Sequence, residues 1–154
     1  MLKVGDRAPE IDATLEDGTT FRLSEHAGQK NVVLYFYPAD FTAGCTREAC
    51  GFRDKYAEIR ALDAVIVGVS GNSEESHAAF KEKHSLPFQM IADPDQRVMQ
   101  AYEAAKKGLV RPRITYVIDK AGIIRAAFRH DIAIGRHQTD TLAALQAIHG
   151  QVSA

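Results

Sequence analysis

The 154-residue sequence has no tryptophan, only two cysteines and no long hydrophobic run. Two cysteines are too few for the disulfide framework of a small secreted protein, so the pair calls for another explanation. No stretch approaches the roughly 18 to 20 apolar residues that cross a bilayer, and residues 1–12 lack the apolar core of a secretory signal. We therefore expect a cytoplasmic protein that does not act at a membrane.

The sequence also lacks an excess of either charge, since its formal net charge is −1 at pH 7. Proteins that bind nucleic acid or anionic bilayers usually carry a basic excess that neutralises phosphates. We expect neither partner, and small neutral partners fit better. The length suits one domain with a substantial core, so residues 1–154 are predicted to form a single domain.

Metal binding is one explanation for the close pair Cys45 and Cys50. No histidine lies within 18 residues of Cys45, and there is no second cysteine pair to complete a four-ligand zinc site. We therefore predict no metal and no cofactor. The six histidines show no paired ligand spacing and are expected at the surface; they are His26, His77, His84, His130, His137 and His149.

The apolar run from Asn31 to Tyr37 predicts a strand buried on both faces. Apolar residues then recur at three- and four-residue spacings, which predicts an amphipathic helix of about 17 residues that ends at Asp63. A second apolar run, from Ala64 to Ser70, completes a strand, helix and strand unit with parallel strands.

The remaining elements predict a thioredoxin-like α/β fold, with a central mixed sheet flanked by helices. An N-terminal hairpin precedes the strand, helix and strand unit. After that unit we expect a helix from 72–73 to about 86, a strand at 88–92 and a helix with Asp93 as cap and Pro94 at its first position. A basic loop at 104–112 and a hairpin at 114–119 and 123–128 are expected to follow. The chain is then predicted to form a loop at 135–139 and a closing helix that ends before Gly150.

Cys45 falls at the predicted start of the long helix. Unpaired N–H groups and the helix dipole favour a thiolate at such a position. The alternative is an inert cysteine that only fills the core. A reactive thiol should be exposed at the helix start, so exposure distinguishes the two interpretations.

The segment Pro38-Ala-Asp-Phe-Thr42-Ala-Gly-Cys45 resembles the PxxxTxxC active-site motif of peroxiredoxins. The segments TREACGFRD, GDRAPEIDATLEDG and RITYVID resemble the peroxiredoxin Q, or bacterioferritin comigratory protein, subgroup, and the similarity covers nearly the whole chain. The resemblance implies a peroxiredoxin variant of the thioredoxin-like fold. It also implies a monomeric peroxidase that reduces hydrogen peroxide and organic hydroperoxides and is recycled by thioredoxin or glutaredoxin.

The resemblance makes Cys45 the peroxidatic cysteine. The hydroxyl of Thr42 would donate to the thiolate or the peroxide and accept the peroxide proton. Gly44 has no side chain, so a small oxidant could approach the backbone there. Pro38 removes an N–H group and would shield the pocket from water.

Arg113 resembles the family's active-site arginine by its place in the RxT(F/Y)VID pattern. Its charge would favour the thiolate and the developing oxyanion. Glu48 would orient the guanidinium through a bidentate pair. Arg111 and Arg125 are nearby alternatives, because an arginine beside a strand is usually solvated.

Cys50 is interpreted as the resolving cysteine. Five residues of helix correspond to about 7.5 Å of rise, whereas a disulfide needs Cα atoms about 4.4 to 6.8 Å apart. The helix cannot remain intact if the two cysteines bond. We therefore expect oxidation of Cys45 to be followed by local unwinding and a Cys45–Cys50 disulfide.

Two positions depart from the subgroup. Ala43 replaces a common proline, which would change the balance between folded and unwound forms. Phe41 replaces a common polar residue, and we expect it to favour apolar hydroperoxides as part of the substrate site.

Other functions also fit parts of the sequence. Gly68 to Asn72 resembles a serine-hydrolase elbow, but Asn72 replaces its second glycine. A redox sensor or chaperone with the same fold could use the same cysteine pair. Lys106, Lys107 and Arg111 could bind an acidic partner, although such charge runs usually face solvent.

Overall fold

The computed structural model describes residues 1–105, 108 and 112–153, with side chains as far as residue 150. Lys106, Lys107 and Arg111 lie outside the described residues, so the interpretations that involve them remain predictions. Within the described part of the chain, no helix combines the length and apolar character needed to cross a membrane.

Seven strands form one mixed sheet with helices packed on it, which confirms the predicted fold class. The strands are β1 (Asp12–Leu15), β2 (Thr20–Arg22), β3 (Asn31–Phe36), β4 (Ala64–Ser70), β5 (Gln89–Ala92), β6 (Ile114–Ile118) and β7 (Ile124–Arg129). The helices are α1 (Ala43–Ala61), α2 (Glu74–His84), α3 (Arg97–Ala101) and α4 (Arg136–Ser153), with a 3-10 turn at Leu23–His26. The sheet order is β2-β1-β5-β4-β3-β6-β7.

The parallel centre of the sheet is the predicted strand, helix and strand unit. Strands β3 and β4 pair in parallel from Asn31 opposite Ala64 to Phe36 opposite Val69, and β4 pairs in parallel with β5. The other neighbouring strands are antiparallel, including the predicted β1–β2 and β6–β7 hairpins. Because β3 has a partner on each side, the loop that follows it starts from the middle of the sheet.

Strand β3 is buried along its whole length, as its continuous apolar run predicts. Leu34 and Phe36 pack into one apolar layer, with the N-terminal hairpin and α3. Val33 and Tyr35 pack into the opposite layer, with α1, α2 and α4. Alternate residues of one strand therefore hold the two layers together.

The predicted start of α3 is wrong. The helix begins at Arg97, and Gln96 before it has the left-handed backbone conformation, with φ of 59°. The carboxylate of Asp93 accepts hydrogen bonds from the amides of Val98 and Met99 at 3.1 and 2.9 Å. Asp93 thus caps the helix across an intervening turn that contains Pro94.

The predicted loop at 135–139 is also wrong, because α4 begins at Arg136. Its polar first turns are buried rather than solvated, since His137, Gln138 and Thr141 are all nearly inaccessible. The helix also continues beyond Gly150 to Ser153. A glycine inside a helix costs only about 1 kcal/mol relative to alanine, so it does not have to end one.

Candidate active site

The loop from Pro38 to Thr42 connects the central strand to α1. Thr42 occupies the N-cap position of α1 in extended conformation. Its carbonyl accepts the amide of Thr46 at 2.9 Å, while its hydroxyl donates to the carbonyl of Ala39 at 3.0 Å. In this form the hydroxyl proton of Thr42 is directed to the backbone, so the predicted donation to a thiolate or peroxide would require the hydroxyl to rotate.

Cys45 is the third residue of α1. The first backbone N–H with a helical acceptor belongs to Thr46, so the amides of Ala43, Gly44 and Cys45 precede the helical hydrogen-bond ladder. The expected exposure of Cys45 is wrong, because the residue is only 1% exposed and packs in the apolar layer that contains Tyr35. Burial alone would fit an inert cysteine, so the chemical interpretation depends on the surrounding groups.

Arg113 lies directly over the start of α1. A Cβ atom built on Gly44 would come within 2.7 Å of Arg113 Nη2 and 3.1 Å of Ile134 Cδ1. Only glycine lets the guanidinium approach the backbone this closely. Arg125 instead forms an ion pair with Asp119 at 3.2 Å, so it is Arg113 that meets the residue preceding Cys45.

Glu48 is fully buried one turn after Cys45, and its Oε1 accepts from Arg113 Nη1 at 3.1 Å. The expected bidentate pair is wrong, because Oε2 has no hydrogen-bond partner among the described residues. Burial raises the pKa of Glu48 to about 8, although the charge and hydrogen bond of Arg113 act in the opposite direction. Glu48 is thus a carboxyl group that changes ionisation near neutral pH.

His137, in the first turn of α4, is a neighbour of Glu48 that the sequence interpretation missed. Its Nε2 donates to the carbonyl of His130 at 2.9 Å and lies 3.4 Å from Glu48 Oε2. Its Nδ1 accepts from the hydroxyl of Thr115 at 2.8 Å. Burial lowers the pKa of His137 to about 4, so the ring is neutral at pH 7. The expected surface position of this histidine is wrong.

Asp40 is a second buried carboxylate, on the loop before Cys45. It accepts hydrogen bonds from Tyr37 Oη at 2.6 Å and Ser76 Oγ at 2.8 Å, and its Oδ2 forms a hydrogen bond with His77 Nδ1 at 2.7 Å. Burial raises the pKa of Asp40, but the hydrogen bonds of His77, Tyr37 and Ser76 outweigh it and hold the pKa below its ordinary value. This network ties the loop to α2.

His77 extends the network to the sheet. Its Nε2 donates to the carbonyl of Ile91 at 2.9 Å, so its other nitrogen faces Asp40. The ring is fully buried, which corrects the second histidine expected at the surface. The loop, α2 and β5 are therefore joined through one imidazole.

The remaining predicted residues lie around this centre. Phe41 adopts a left-handed conformation with φ of 63° and is 49% exposed, with its ring edge-on to Phe80 at 5.3 Å. Pro38 is half-buried and borders a small cavity with Met99, a residue of the apolar layer opposite Cys45. Cys50 is half-buried, and both cysteines are free thiols on an intact helix.

With this geometry in place, residues 4–127 match the AhpC/TSA family. The chain belongs to this family. Peroxiredoxin Bcp of Bacillus subtilis is 38% identical to it, over 94% of this chain and 96% of its own length. Chloroplastic peroxiredoxin Q of Sedum lineare is also 38% identical, over 94% of this chain and 78% of its own length. These findings confirm the peroxiredoxin Q and bacterioferritin comigratory protein resemblance.

Solved structures of the AhpC/TSA family agree with the fold. Peroxidoxin BcpB of Mycobacterium tuberculosis superimposes with a TM-score of 0.89 at 32% identity, covering 96% of this chain and 99% of that one. Peroxiredoxin Q of Xanthomonas campestris gives a TM-score of 0.84 at 32% identity, covering 90% of this chain and 91% of that one. The similarity therefore extends through the whole sheet rather than the cysteine motif alone.

One sequence signal could have revealed the buried side of α4. His137, Thr141, Leu145 and Ile148 recur at helical spacing, and all four are buried. Polar side chains at the first two positions made the segment read as a loop. The Asp40 network had no such local signal, because its partner His77 comes 37 residues later.

Proposed function

We propose that this AhpC/TSA protein is a thiol-dependent peroxidase in which Cys45 attacks the hydroperoxide. The observation that carries the proposal is the guanidinium of Arg113 on the backbone of Gly44, beside amides that precede the helical hydrogen-bond ladder of α1. A positive group and N–H donors at one point stabilise both a thiolate and a developing oxyanion. A relative from Xanthomonas campestris is described by its alkyl peroxide reduction activity.

In the first step, the Cys45 thiolate bonds to one peroxide oxygen and the O–O bond breaks. The sulfur becomes a sulfenic acid, and the other oxygen leaves as hydroxide or alkoxide and takes up a proton. Arg113 and the amides near Gly44 would stabilise that leaving oxygen. Thr42 would accept the peroxide proton after its hydroxyl turns from Ala39, and Pro38 would help to exclude water.

In the second step, the Cys50 thiol attacks the sulfenic sulfur, forms a disulfide and releases water. Five residues of intact helix hold the two cysteines too far apart, so the start of α1 must unwind first. A dithiol reductant then restores both thiols by disulfide exchange. We propose thioredoxin for this role, with glutaredoxin as the alternative.

Glu48 is proposed as a positioning residue for Arg113. The two form one hydrogen-bonded contact rather than a bidentate pair, and Glu48 is buried on both oxygens. Arg113 is only 11% exposed, so its direction depends on this contact. A guanidinium released from Glu48 would no longer be held over Gly44.

Phe41 is proposed as the part of the site that favours apolar hydroperoxides. Its ring is half exposed at the edge of the loop, against Phe80 and beneath the ammonium group of Lys83. Phe41→Asp should lower the rate with cumene hydroperoxide more than the rate with hydrogen peroxide. An equal change for both substrates would contradict this role.

We also propose that the protein is a cytoplasmic, single-domain monomer. The single sheet includes strands from residue 12 to residue 129, which supports one domain. The Bacillus relative is bacterial, whereas the plant relatives are chloroplastic. Light scattering after size-exclusion chromatography would contradict the monomer if it gave twice the chain mass.

Mass spectrometry after one equivalent of hydrogen peroxide tests the two cysteine roles. The unmodified protein should lose two hydrogens, Cys50→Ser should retain a sulfenic acid on Cys45, and Cys45→Ser should not react. Steady-state NADPH oxidation with thioredoxin and thioredoxin reductase then separates an enzyme from a redox sensor, because a sensor gives a single stoichiometric oxidation. Unreacted thiols in the unmodified protein would refute the proposal.

A further inference from the structure

Gln138, in the first turn of α4, contacts α1 between the two cysteines. The side chain is 6% exposed, and its Nε2 donates to the backbone carbonyl of Glu48 at 3.0 Å. Its amide also occupies the space above Gly51, where a Cβ atom would come within 2.8 Å of the amide carbon and nitrogen. One side chain of α4 therefore holds the backbone of α1 on both sides of Cys50.

The part of α1 that follows Gly51 is held by other contacts. Phe52 is fully buried, with its ring 4.8 Å from that of Tyr35. Arg53 Nη1 donates to the carbonyl of His84 at 2.7 Å, which fastens α1 to the end of α2. These contacts do not involve the segment between the cysteines, so they can persist while that segment changes.

The segment from Cys45 to Ala49 cannot stay helical when a Cys45–Cys50 disulfide forms. The carbonyl of Glu48 lies inside this segment, so unwinding would move this acceptor away from the side-chain amide of Gln138. The hydrogen bond is present in the helical form, so it stabilises that form relative to one in which the backbone of Glu48 has moved away. Gln138 thus lies at the boundary between the segment that unwinds and the segment that remains helical.

We propose that Gln138 is a positioning residue that sets how readily the start of α1 unwinds, and so how fast Cys45 sulfenic acid is resolved by Cys50. The proposal rests on the peroxidase function. Before the disulfide forms, a second hydroperoxide can oxidise the sulfenic acid to sulfinic acid, with the O–O bond broken and an alcohol or water released. A more stable helical form leaves more time for this second oxidation.

Gln138→Met tests the proposal, because methionine has a similar shape and no N–H donor. Loss of one such hydrogen bond should make disulfide formation about 2- to 10-fold faster. The hydroperoxide concentration that converts half of the protein to sulfinic acid should rise by the same factor. The rate of the first oxidation of Cys45 should not change, and rapid-quench mass spectrometry measures all three quantities.

Gln146→Met is the matched control, since Gln146 is an exposed glutamine on the same helix. Gln138→Asn is a second test variant, because its shorter side chain keeps the amide but loses the reach to Glu48. It should behave like Gln138→Met. Disulfide rates equal to those of the Gln146→Met control, or slower, would overturn the proposal.

Amide hydrogen exchange of the reduced protein gives a readout that does not depend on peroxidase activity. Gln138→Met should raise the exchange of residues 45–50 by about 2- to 10-fold and leave residues 53–61 unchanged. Equal exchange in the two segments would show general destabilisation and would refute the proposal. If the unmodified protein forms no disulfide while the exchange difference is observed, the proposed function fails but the role of Gln138 in unwinding stands.

Discussion

Asp40 and Glu48 are two buried carboxyl groups on either side of Cys45, and they differ in the hydrogen bonds that they accept. Three side chains form hydrogen bonds with Asp40, and its pKa lies below the ordinary value. One side chain donates to Glu48, whose second oxygen has no hydrogen-bond partner among the described residues, and its pKa is raised to about 8. Deeper burial with fewer hydrogen bonds raises the pKa of Glu48, and the hydrogen bonds of Asp40 outweigh its burial.

The two carboxyl groups also belong to regions with different expected behaviour. Asp40 joins the loop to α2 and β5 through His77, so this side of Cys45 is fixed to the sheet. Glu48 lies within the helical segment that is proposed to unwind. The fully hydrogen-bonded carboxylate is on the fixed side, and the incompletely bonded one is on the side that is proposed to move.

The largest expected effect comes from removing the charge on the fixed side. Asp40→Asn should lower the free energy of unfolding by about 3 to 5 kcal/mol, because the amide has one acceptor oxygen in place of the two that bind Tyr37, Ser76 and His77. Urea denaturation at pH 7 measures the change. Asp54→Asn, at an exposed ion pair with Arg53, is the control and should cost at most about 1 kcal/mol. A similar loss in both variants would remove the distinction between the two environments.

The second expected effect concerns pH and Glu48. Its folded-state pKa is raised, so its contribution to stability is complete below the ordinary pKa and is lost as the pH rises towards about 8. The stability of Glu48→Gln relative to the unmodified protein should therefore rise by about 2 to 3 kcal/mol between pH 5 and pH 7.

Urea denaturation of both proteins at several pH values measures this difference. The neutral state of His137 contributes an opposite slope, since its lowered pKa makes stability rise with pH from about 4. That contribution ends near pH 6.5, the ordinary pKa of histidine, so the difference that develops above this pH belongs to Glu48. Parallel stability curves for the two proteins would show that Glu48 remains charged throughout.

The smallest expected effect comes from removing one of the three side-chain hydrogen bonds of Asp40. Ser76→Ala should lower the free energy of unfolding by about 1.5 kcal/mol, because a hydrogen bond to a charged group is lost while two others remain. The same substitution in the Asp40→Asn background should cost much less. Equal costs in both backgrounds would mean that Ser76 acts independently of Asp40.

Patterns within short segments predicted much of this molecule. The apolar runs of β3 and β4 and the amphipathic pattern of α1 depend on neighbouring residues, so the parallel unit could be recognised without knowledge of the rest. The cysteine motif placed the thiol at the start of α1, and the RITYVID segment pointed to Arg113, which lies over Gly44. These signals are local, or are specific enough to be recognised alone.

The missed features are contacts between distant residues. The pairing of Asp40 with His77 joins a loop to a helix 37 residues later, and neither residue type predicts burial. His137 and Gln138 looked like loop residues because their partners, Glu48 and Thr115, lie on other elements. The burial of Cys45 likewise depends on the packing of the apolar layer around it, which its position in the helix does not reveal.

The raised pKa of Glu48 would couple the proposed opening of the helix to proton release into the solvent. While α1 is intact, burial favours the neutral carboxyl group at pH 7. When the segment unwinds, water reaches the group and restores an ordinary pKa of about 4.3, so one proton is released. A rise in pH between these two pKa values would therefore favour opening of the helix, and closing after reduction would take the proton back. The proton would thus act as a ligand that favours the closed helix of the reduced enzyme.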